Sequence, residues 1–265
     1  MNDQKNKDWK FTLGRVLLYC AACAVALAFF SGIMKNLPIE WSQHLLLVIT
    51  TIIAFILTIL FVRWEGLTLS AVGVIPGKHT SSRLLIGFLI GTGISLLQPA
   101  LVMLFGKVNL VYNSGTGISL IVSHFLLYLL VACREEIAFR GYPLRSLNYS
   151  IGPFWAQVII AIIFSLEHVA GGMTWLNAII GSGTGAILFG VAALRTKGLA
   201  LSTGLHMAWN FGQWVIGFKG TPGVWSAVVE KNQESRVEMI GSVSYLAVMS
   251  SAILAIWYFY PKDEK

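Results

Sequence analysis

The sequence predicts an all-α polytopic membrane protein with about eight transmembrane helices. Hydrophobic residues make up 56% of the 265 residues and charged residues only 12%, whereas soluble domains are about 25% charged. The mean hydropathy of the chain is +0.72. The apolar residues also form long runs, several of which approach the roughly 20 residues that a helix needs to cross a bilayer. We therefore expect the lipid bilayer to be the main environment of this chain.

The apolar runs define eight predicted spans, which cover approximately residues 12–34, 42–62, 84–106, 117–148, 153–170, 174–194, 198–218 and 240–260. The first run follows Lys5, Lys7 and Lys10, as in a signal peptide. It is too long for a signal h-region and lacks a convincing cleavage site, so we interpret it as an uncleaved helix. No linker or low-complexity tract divides the chain, which predicts one membrane-embedded domain over residues 1–265.

The distribution of positive residues predicts the orientation of the spans. With the N-terminus inside, the predicted cytoplasmic segments contain 14 Lys and Arg residues and the outer segments five. Cytoplasmic loops of membrane proteins carry an excess of these residues, so the N-in, C-in topology is favoured. The bias also explains the net charge of +7, and no nucleic-acid partner is needed to account for it. The compact length and the lack of eukaryotic sorting signals favour a bacterial cytoplasmic membrane.

Small residues inside the spans predict close helix packing. Gly87 and Gly91 have the small-xxx-small spacing of packed membrane helices, and so do Gly181 and Gly185. We expect both pairs to lie where two helix backbones approach each other.

The cysteines offer a weaker signal. Cys20 and Cys23 are helically spaced and could form a redox or metal pair. No second Cys/His pair accompanies them, so we interpret them as small packing residues.

Ionisable residues inside a membrane span are rare and usually functional. Glu135 and His168 lie at equal distances on either side of Gly152-Pro153, a turn followed by a helix start. In an antiparallel helix hairpin such residues share a depth, so we expect Glu135 to face His168, roughly 20 Å from the hairpin tip. The fourth helix then continues past Glu135 and carries Arg140 and Arg145 toward the cytoplasm.

A second polar pair falls in the seventh predicted span. His206 and Asn210 are four residues apart, on one helix face. Counted from the basic turn at Arg195 and Lys197, they lie roughly 13 and 18 Å deep. Three helices thus bring a glutamate, two histidines and an asparagine to a similar depth. Taken alone, His206 and Asn210 are better explained as a structural polar contact between helices than as catalytic residues.

The residue after Glu135 has a separate expected role. Glu136 and Arg140 are spaced i and i+4 in the favourable order for an ion pair, which alone could be purely structural. Because adjacent helical residues are rotated by about 100°, Arg140 can neutralise Glu136 while Glu135 points into a polar cavity as a general base.

The remaining polar residues of these spans receive weaker predictions. Glu167 is expected to pair locally. His124 lies about 16 Å along the helix from Glu135 and is expected to make an interior polar contact. The sequence assigns no role to Arg134.

Three motifs carry a resemblance to a known family. "EEIAFRG" at 135–141 resembles the E-E-x-x-x-R motif of the CAAX prenyl protease/bacteriocin-processing group, also called the Abi or CPBP family. "FSLEH" at 164–168 resembles its F-x-x-x-H motif, and "HMAWN" at 206–210 its H-x-x-x-N motif. The order and spacing also fit, and the resemblance covers roughly residues 130–215.

The resemblance implies an eight-helix intramembrane endopeptidase of the Ras-converting type. It makes Glu135 the catalytic glutamate, His168 its partner, and His206 with Asn210 the groups that face the substrate carbonyl. Glu136 and Arg140 take the supporting positions. The hypothesis is that Glu135 and His168 activate a water molecule, while His206 and Asn210 stabilise the oxyanion. The expected substrate is a small peptide or a protein C-terminus, prenylated or not.

Metal dependence and two other functions stay open from the sequence. Glu135, His168 and His206 could hold Zn²⁺ with one water-filled position, but the chain has no H-E-x-x-H motif and a metal-independent site is slightly favoured. A bacteriocin-immunity or peptide-binding protein could keep this fold without cutting peptides. A proton-coupled transporter could use Glu135 and His168 as a proton relay, but the paired half-repeats typical of transporters are not seen.

Overall fold

The computed structural model describes residues 8–37 and 39–260. Its helices are α1 (Trp9–Met34), α2 (Ile39–Glu65), α3 (Thr80–Phe105), α4 (Ile118–Glu135), α5 (Tyr142–Ile151), α6 (Pro153–Ala170), α7 (Trp175–Asn177), α8 (Thr184–Thr196), α9 (Ala200–Val215) and α10 (Glu234–Phe259). A π-helical turn over Glu136–Gly141 joins α4 to α5, and a second over Ala178–Gly183 joins α7 to α8. Four cations of the orientation argument, Lys5, Lys7, Lys262 and Lys265, lie outside the described residues.

Seven helical segments of the described chain are long and apolar enough to cross a membrane. They correspond to seven of the eight predicted spans, and they confirm an all-α, multi-pass membrane protein. The remaining predicted span, residues 198–218, forms α9, which has 16 residues and is therefore about 24 Å long. That is shorter than a hydrocarbon core of about 30 Å. Because α9 is mostly buried and packs against α3, α4 and α8, it forms the inside of the bundle.

The hairpin predicted around Gly152 is confirmed. The chain is helical from α4 through the π-turn to the end of α5, and Gly152 turns it with a φ of +83°, after which Pro153 begins α6. Glycine adopts this positive φ without steric cost. The helix continues past Glu135 as predicted and carries Arg140 and Arg145. Both are buried, and Arg145 Nη2 donates to the Ala193 carbonyl at 2.5 Å.

Close packing of α3 against α9 depends on glycines from both helices. A Cβ on Gly87 would lie 2.2 Å from the Leu201 carbonyl oxygen, and one on Gly204 would lie 2.2 Å from the Leu84 carbonyl oxygen. The prediction for Gly87 and Gly91 is therefore confirmed, since a Cβ on Gly91 would also meet α9 backbone.

The same prediction is wrong for Gly181. No atom lies within 4 Å of its ideal Cβ, and the Cβ of Gly185 would make only ordinary contacts. Gly181 instead belongs to the second π-turn, where its carbonyl accepts a hydrogen bond from Tyr245.

Two apolar clusters form the core. The first joins α1, α2, α5 and α6 and includes Cys23 and Phe164, which agrees with a packing role for Cys23. The second joins α8, α9 and α10 and includes Phe189 and Leu205. The Arg140 guanidinium lies 4.5 Å from the ring of Phe164 and 5.5 Å from that of Phe189. The Arg140 side chain therefore lies between the two apolar clusters.

A short two-stranded antiparallel sheet lies outside the helices. Strand β1 (Val108–Tyr112) pairs antiparallel with β2 (Trp225–Val229), with Val108 opposite Val229 and Tyr112 opposite Trp225. It connects the chain after α3 to the chain before α10, and it abuts the turn that follows α9.

Candidate active site

A cavity of about 530 Å³ lies inside the bundle. It is lined by all four residues that the sequence predicts as catalytic, namely Glu135, His168, His206 and Asn210. They come from α4, α6 and α9, as the depth argument requires. The second π-turn and α10 form other parts of the wall. The structure thus brings the four predicted residues to one site.

Glu135 is the carboxylate at the cavity wall, and its side chain is 12% exposed. Its Oε2 lies 3.6 Å from His206 Nε2, and its Oε1 lies 3.6 Å from Arg134 Nη1. Two cationic or potentially cationic groups therefore compensate a charge that would be costly to bury alone. An ionised carboxylate can accept a proton from a bound water molecule.

His168 reaches the cavity from α6 in a defined tautomer. Its Nδ1 lies 2.9 Å from the Phe164 carbonyl oxygen. A carbonyl can only accept, so Nδ1 carries the proton and Nε2 of the neutral ring is left as an acceptor. Among these described residues no hydrogen bond or ion pair joins His168 directly to Glu135. Both residues line the same cavity, and their facing across it stays a prediction.

His206 lies between two carboxylates of consecutive residues. Its Nδ1 is 2.9 Å from Glu136 Oε1, and its Nε2 is turned to Glu135. Its ring also stacks on Phe189, with ring centroids 4.3 Å apart. These contacts fix the imidazole in both position and plane.

Glu136 and Arg140 are the fully buried support of this arrangement. Arg140 Nη1 lies 3.4 Å from Glu136 Oε1, and both side chains have an exposure of 0%. The sequence predicts Glu136 as a partner of Arg140 alone, whereas the structure shares it between Arg140 and His206. Within the described chain, no hydrogen bond reaches the three guanidinium nitrogens of Arg140. Aromatic rings contact it instead, through cation–π interactions.

Arg134 and Glu167 acquire roles that the sequence does not provide. Arg134 is buried, and its Nη2 donates to Glu167 Oε1 while Nη1 faces Glu135. The local pairing expected for Glu167 is confirmed, and its partner is Arg134 from the neighbouring helix. Arg134 therefore bridges α4 to α6 next to the cavity.

Asn210 is held by Lys219, one of the five positive residues of the predicted outer segments, to which the sequence assigns no role in the site. Lys219 Nζ lies 2.6 Å from Asn210 Oδ1, and Lys219 also lines the cavity. No motif singles out Lys219, because only the turn after α9 brings it back to this helix.

A second missed residue, Glu65, stabilises the motif helix from outside the cavity. Its buried carboxylate accepts hydrogen bonds from Tyr142 Oη at 2.7 Å and from Ser146 Oγ at 2.7 and 2.8 Å. These contacts join the end of α2 to α5, directly after the π-turn that carries Glu136 and Arg140. An acidic residue at the end of an apolar run is the only signal in the sequence.

His124 lies apart from this chemistry, as predicted. Its ring stacks on Trp214 at 4.0 Å with an interplanar angle of 8°, and its Nδ1 contacts the Leu120 carbonyl. It is therefore a packing and polar contact of α4.

The fit of a metal ion can be judged from the donor groups. Across the described residues, no group of three or more His, Cys, Asp or Glu side chains is arranged to hold a metal ion. His206 Nδ1 is engaged by Glu136 and His168 Nδ1 by a carbonyl. Contacts of this kind at Nδ1 also orient metal-binding histidines, and zinc dependence, with Glu135, His168 and His206 as ligands, stays an untested prediction.

Fold and site together define an integral multi-pass membrane protein whose bundle encloses a Glu/His/His/Asn cavity. Residues 117–212 match a family described as "Rce1-like: Type II CAAX prenyl endopeptidase Rce1-like". The matched segment contains all three motifs, and the match confirms the predicted resemblance to the CAAX prenyl protease group. The matched family is one of endopeptidases. Among curated proteins, the search finds no match to this chain.

Proposed function

We propose that this protein is an intramembrane endopeptidase that hydrolyses a peptide bond in a small peptide or a protein C-terminus. The observation that carries the proposal is the convergence of Glu135, His168, His206 and Asn210 on one cavity of about 530 Å³. The match of residues 117–212 to an endopeptidase family supports it.

Glu135 and His168 activate the attacking water molecule. A water molecule bound between them donates one hydrogen bond to each, because the Glu135 carboxylate and His168 Nε2 are both acceptors. As the water oxygen attacks the peptide carbonyl carbon, its proton moves to Glu135. The product of this step is a tetrahedral intermediate with a negatively charged oxygen.

His206 and Asn210 stabilise the oxyanion. The Asn210 amide nitrogen donates, and His206 donates from Nε2 in its imidazolium form, in which both ring nitrogens carry a proton. In that form His206 Nδ1–H donates to Glu136 Oε1, 2.9 Å away. The intermediate collapses when the C–N bond breaks, and Glu135 returns the proton to the leaving amine. The products are a carboxylic acid and an amine, so the hydrolysis is balanced without a further reactant.

The test is cleavage by the purified, reconstituted protein. Two quenched fluorescent peptides serve as probes, a farnesylated C-a-a-X peptide and its unmodified counterpart, and mass spectrometry identifies the bond that is cut. We expect Glu135→Gln to lose at least two orders of magnitude in rate. Glu230→Gln is the matched control, since Glu230 is half-exposed and pairs with Lys107 at a distance of 3.5 Å.

The other two candidate functions are distinct outcomes of this experiment. Peptide binding without cleavage by the wild-type protein would support an immunity or peptide-binding role. Proton-coupled uptake into liposomes that depends on Glu135 would support a transporter. Cleavage that survives Glu135→Gln would contradict the proposed mechanism.

A further inference from the structure

The contact between Lys219 and Asn210 defines the orientation of the Asn210 amide. Lys219 Nζ lies 2.6 Å from Oδ1, and an ammonium group can only donate. The oxygen of the amide must therefore face Lys219, and the NH₂ group must face the other way. Asn210 is buried and lines the cavity. The orientation of its amide therefore decides whether the side chain offers the cavity an N–H donor or a carbonyl acceptor.

The turn that carries Lys219 packs closely against strand β2 and the end of α9. Gly217 has a φ of +83°, and a Cβ there would lie 2.4 Å from the Trp225 carbonyl oxygen. A Cβ on Gly223 would lie 1.7 Å from the Trp214 carbonyl oxygen. Close backbone packing of this kind leaves the turn little freedom to move.

Side-chain hydrogen bonds add to this packing. Asn113, which follows β1, donates from Nδ2 to the Gly223 carbonyl at 2.9 Å, and Thr116 Oγ1 donates to the same carbonyl at 2.9 Å. Lys219 is exposed as a residue, yet its anchored turn directs Nζ to a buried amide oxygen.

We propose that Lys219 is a positioning residue for Asn210. It holds the amide with NH₂ toward the substrate carbonyl and strengthens that N–H as a donor. This inference rests on the proposed function, in which Asn210 stabilises the oxyanion. Lys219 lies outside the segment 117–212 that matches the family.

Two physical effects follow from the ammonium group. A 180° flip of the amide would turn NH₂ toward Nζ and place two donors against each other, which removes a charge-assisted hydrogen bond. The positive charge on the oxygen side also withdraws electron density from the amide nitrogen, as expected for coupled hydrogen bonds in a medium of low dielectric constant. Both effects favour the transition state, in which the substrate oxygen becomes negative.

The first experiment replaces the ammonium by an apolar chain of similar length. For Lys219→Met we expect kcat for cleavage of the reporter peptides to fall about tenfold or more, with KM changed less than about threefold. That loss is smaller than the 10²–10³-fold expected for removal of an oxyanion donor, because the amide is still present. Lys219→Arg keeps a pure donor and should restore most of kcat. Lys231→Met changes an exposed lysine near β2 and serves as the control.

A double-mutant cycle separates positioning from direct catalysis. If Lys219 acts through Asn210, Lys219→Met has no further effect on kcat in an Asn210→Ala background. Multiplicative losses in the double variant would show that Lys219 acts independently and would overturn the inference. So would an unchanged kcat in Lys219→Met. Thermal unfolding of each variant identifies any loss that comes from misfolding.

The outcome is distinguishable from a failure of the proposed function. If Glu135→Gln abolishes cleavage while Lys219→Met does not affect it, only the inference about Lys219 fails. If Glu135→Gln still cleaves, the proposed mechanism itself fails, whatever Lys219 does.

Discussion

His206 Nδ1 lies 2.9 Å from Oε1 of Glu136, a carboxylate with an exposure of 0%. This contact connects the supporting pair of the motif directly to the oxyanion side of the site. It occurs where α4 gives way to a π-turn that begins at Glu136. Single π-turns inside α-helices are frequent at functional sites. Here the junction of α4 and the π-turn presents the carboxylates of Glu135 and Glu136 to the two ring nitrogens of His206.

Glu136→Gln is expected to destabilise the protein as well as slow it. The substitution leaves the Arg140 guanidinium buried without its counter-charge, and breaking a buried ion pair costs about 3–5 kcal/mol. Denaturation in detergent micelles measures the loss in the free energy of unfolding. Glu230→Gln, which breaks a half-exposed pair with Lys107, should cost less than about 1 kcal/mol. Equal effects of the two substitutions would contradict the supporting role of Glu136.

Arg134→Met is expected to lower the rate of peptide cleavage about tenfold or more. It removes the cation that faces Glu135 at 3.6 Å and that also binds Glu167. The two carboxylates next to the site then lack their shared positive partner. Arg134→Lys keeps the charge but not the two-pronged geometry and should restore only part of the rate. Arg236→Met, at an exposed position of α10, is the control. A wild-type rate in Arg134→Met would show that Arg134 is dispensable.

Gly87→Ala should lower stability and activity by displacing α9, although Gly87 itself lies outside the active site. The added Cβ would lie 2.2 Å from the Leu201 carbonyl oxygen, so α3 and α9 must separate, and α9 carries His206. Overpacking of this kind typically costs about 1–3 kcal/mol, and we expect a lower unfolding temperature together with a lower kcat.

Gly93→Ala is the matched control on the same helix. Nothing lies within 4 Å of its Cβ position, and alanine has the higher helix propensity by about 1 kcal/mol. Its unfolding temperature should therefore be unchanged or slightly raised. If both alanine variants behave alike, the close packing of α3 on α9 is not what positions α9.

Treatment with a strong chelator is expected to leave cleavage within about twofold of the untreated rate, since the proposed mechanism routes no step through a metal ion. The measurement uses protein incubated with 1,10-phenanthroline and then freed of the chelator. Loss of activity that only added Zn²⁺ restores would support the zinc alternative instead. The metal content of the active fraction then decides the stoichiometry.

The glycine pairs show why a sequence pattern predicts only part of the packing. Gly87/Gly91 and Gly181/Gly185 have the same spacing, yet only the first pair lies against a neighbouring backbone. The spacing describes one face of one helix. Whether another helix covers that face depends on the partner, here Gly204 of α9, which is more than a hundred residues away.

The sequence by itself determined the membrane class, the hairpin around Gly152 and the meeting of Glu135, His168, His206 and Asn210. These follow from hydrophobicity, turn chemistry and helical rise, which are local and regular. Only the tertiary structure decided the burial of α9, the bridge of Arg134 to Glu167, the sharing of Glu136 and the reach of Lys219 to Asn210. The depth of a residue can be counted along a regular helix, but its partners depend on helix rotation, π-turns and the path of a loop, and long-range packing sets these.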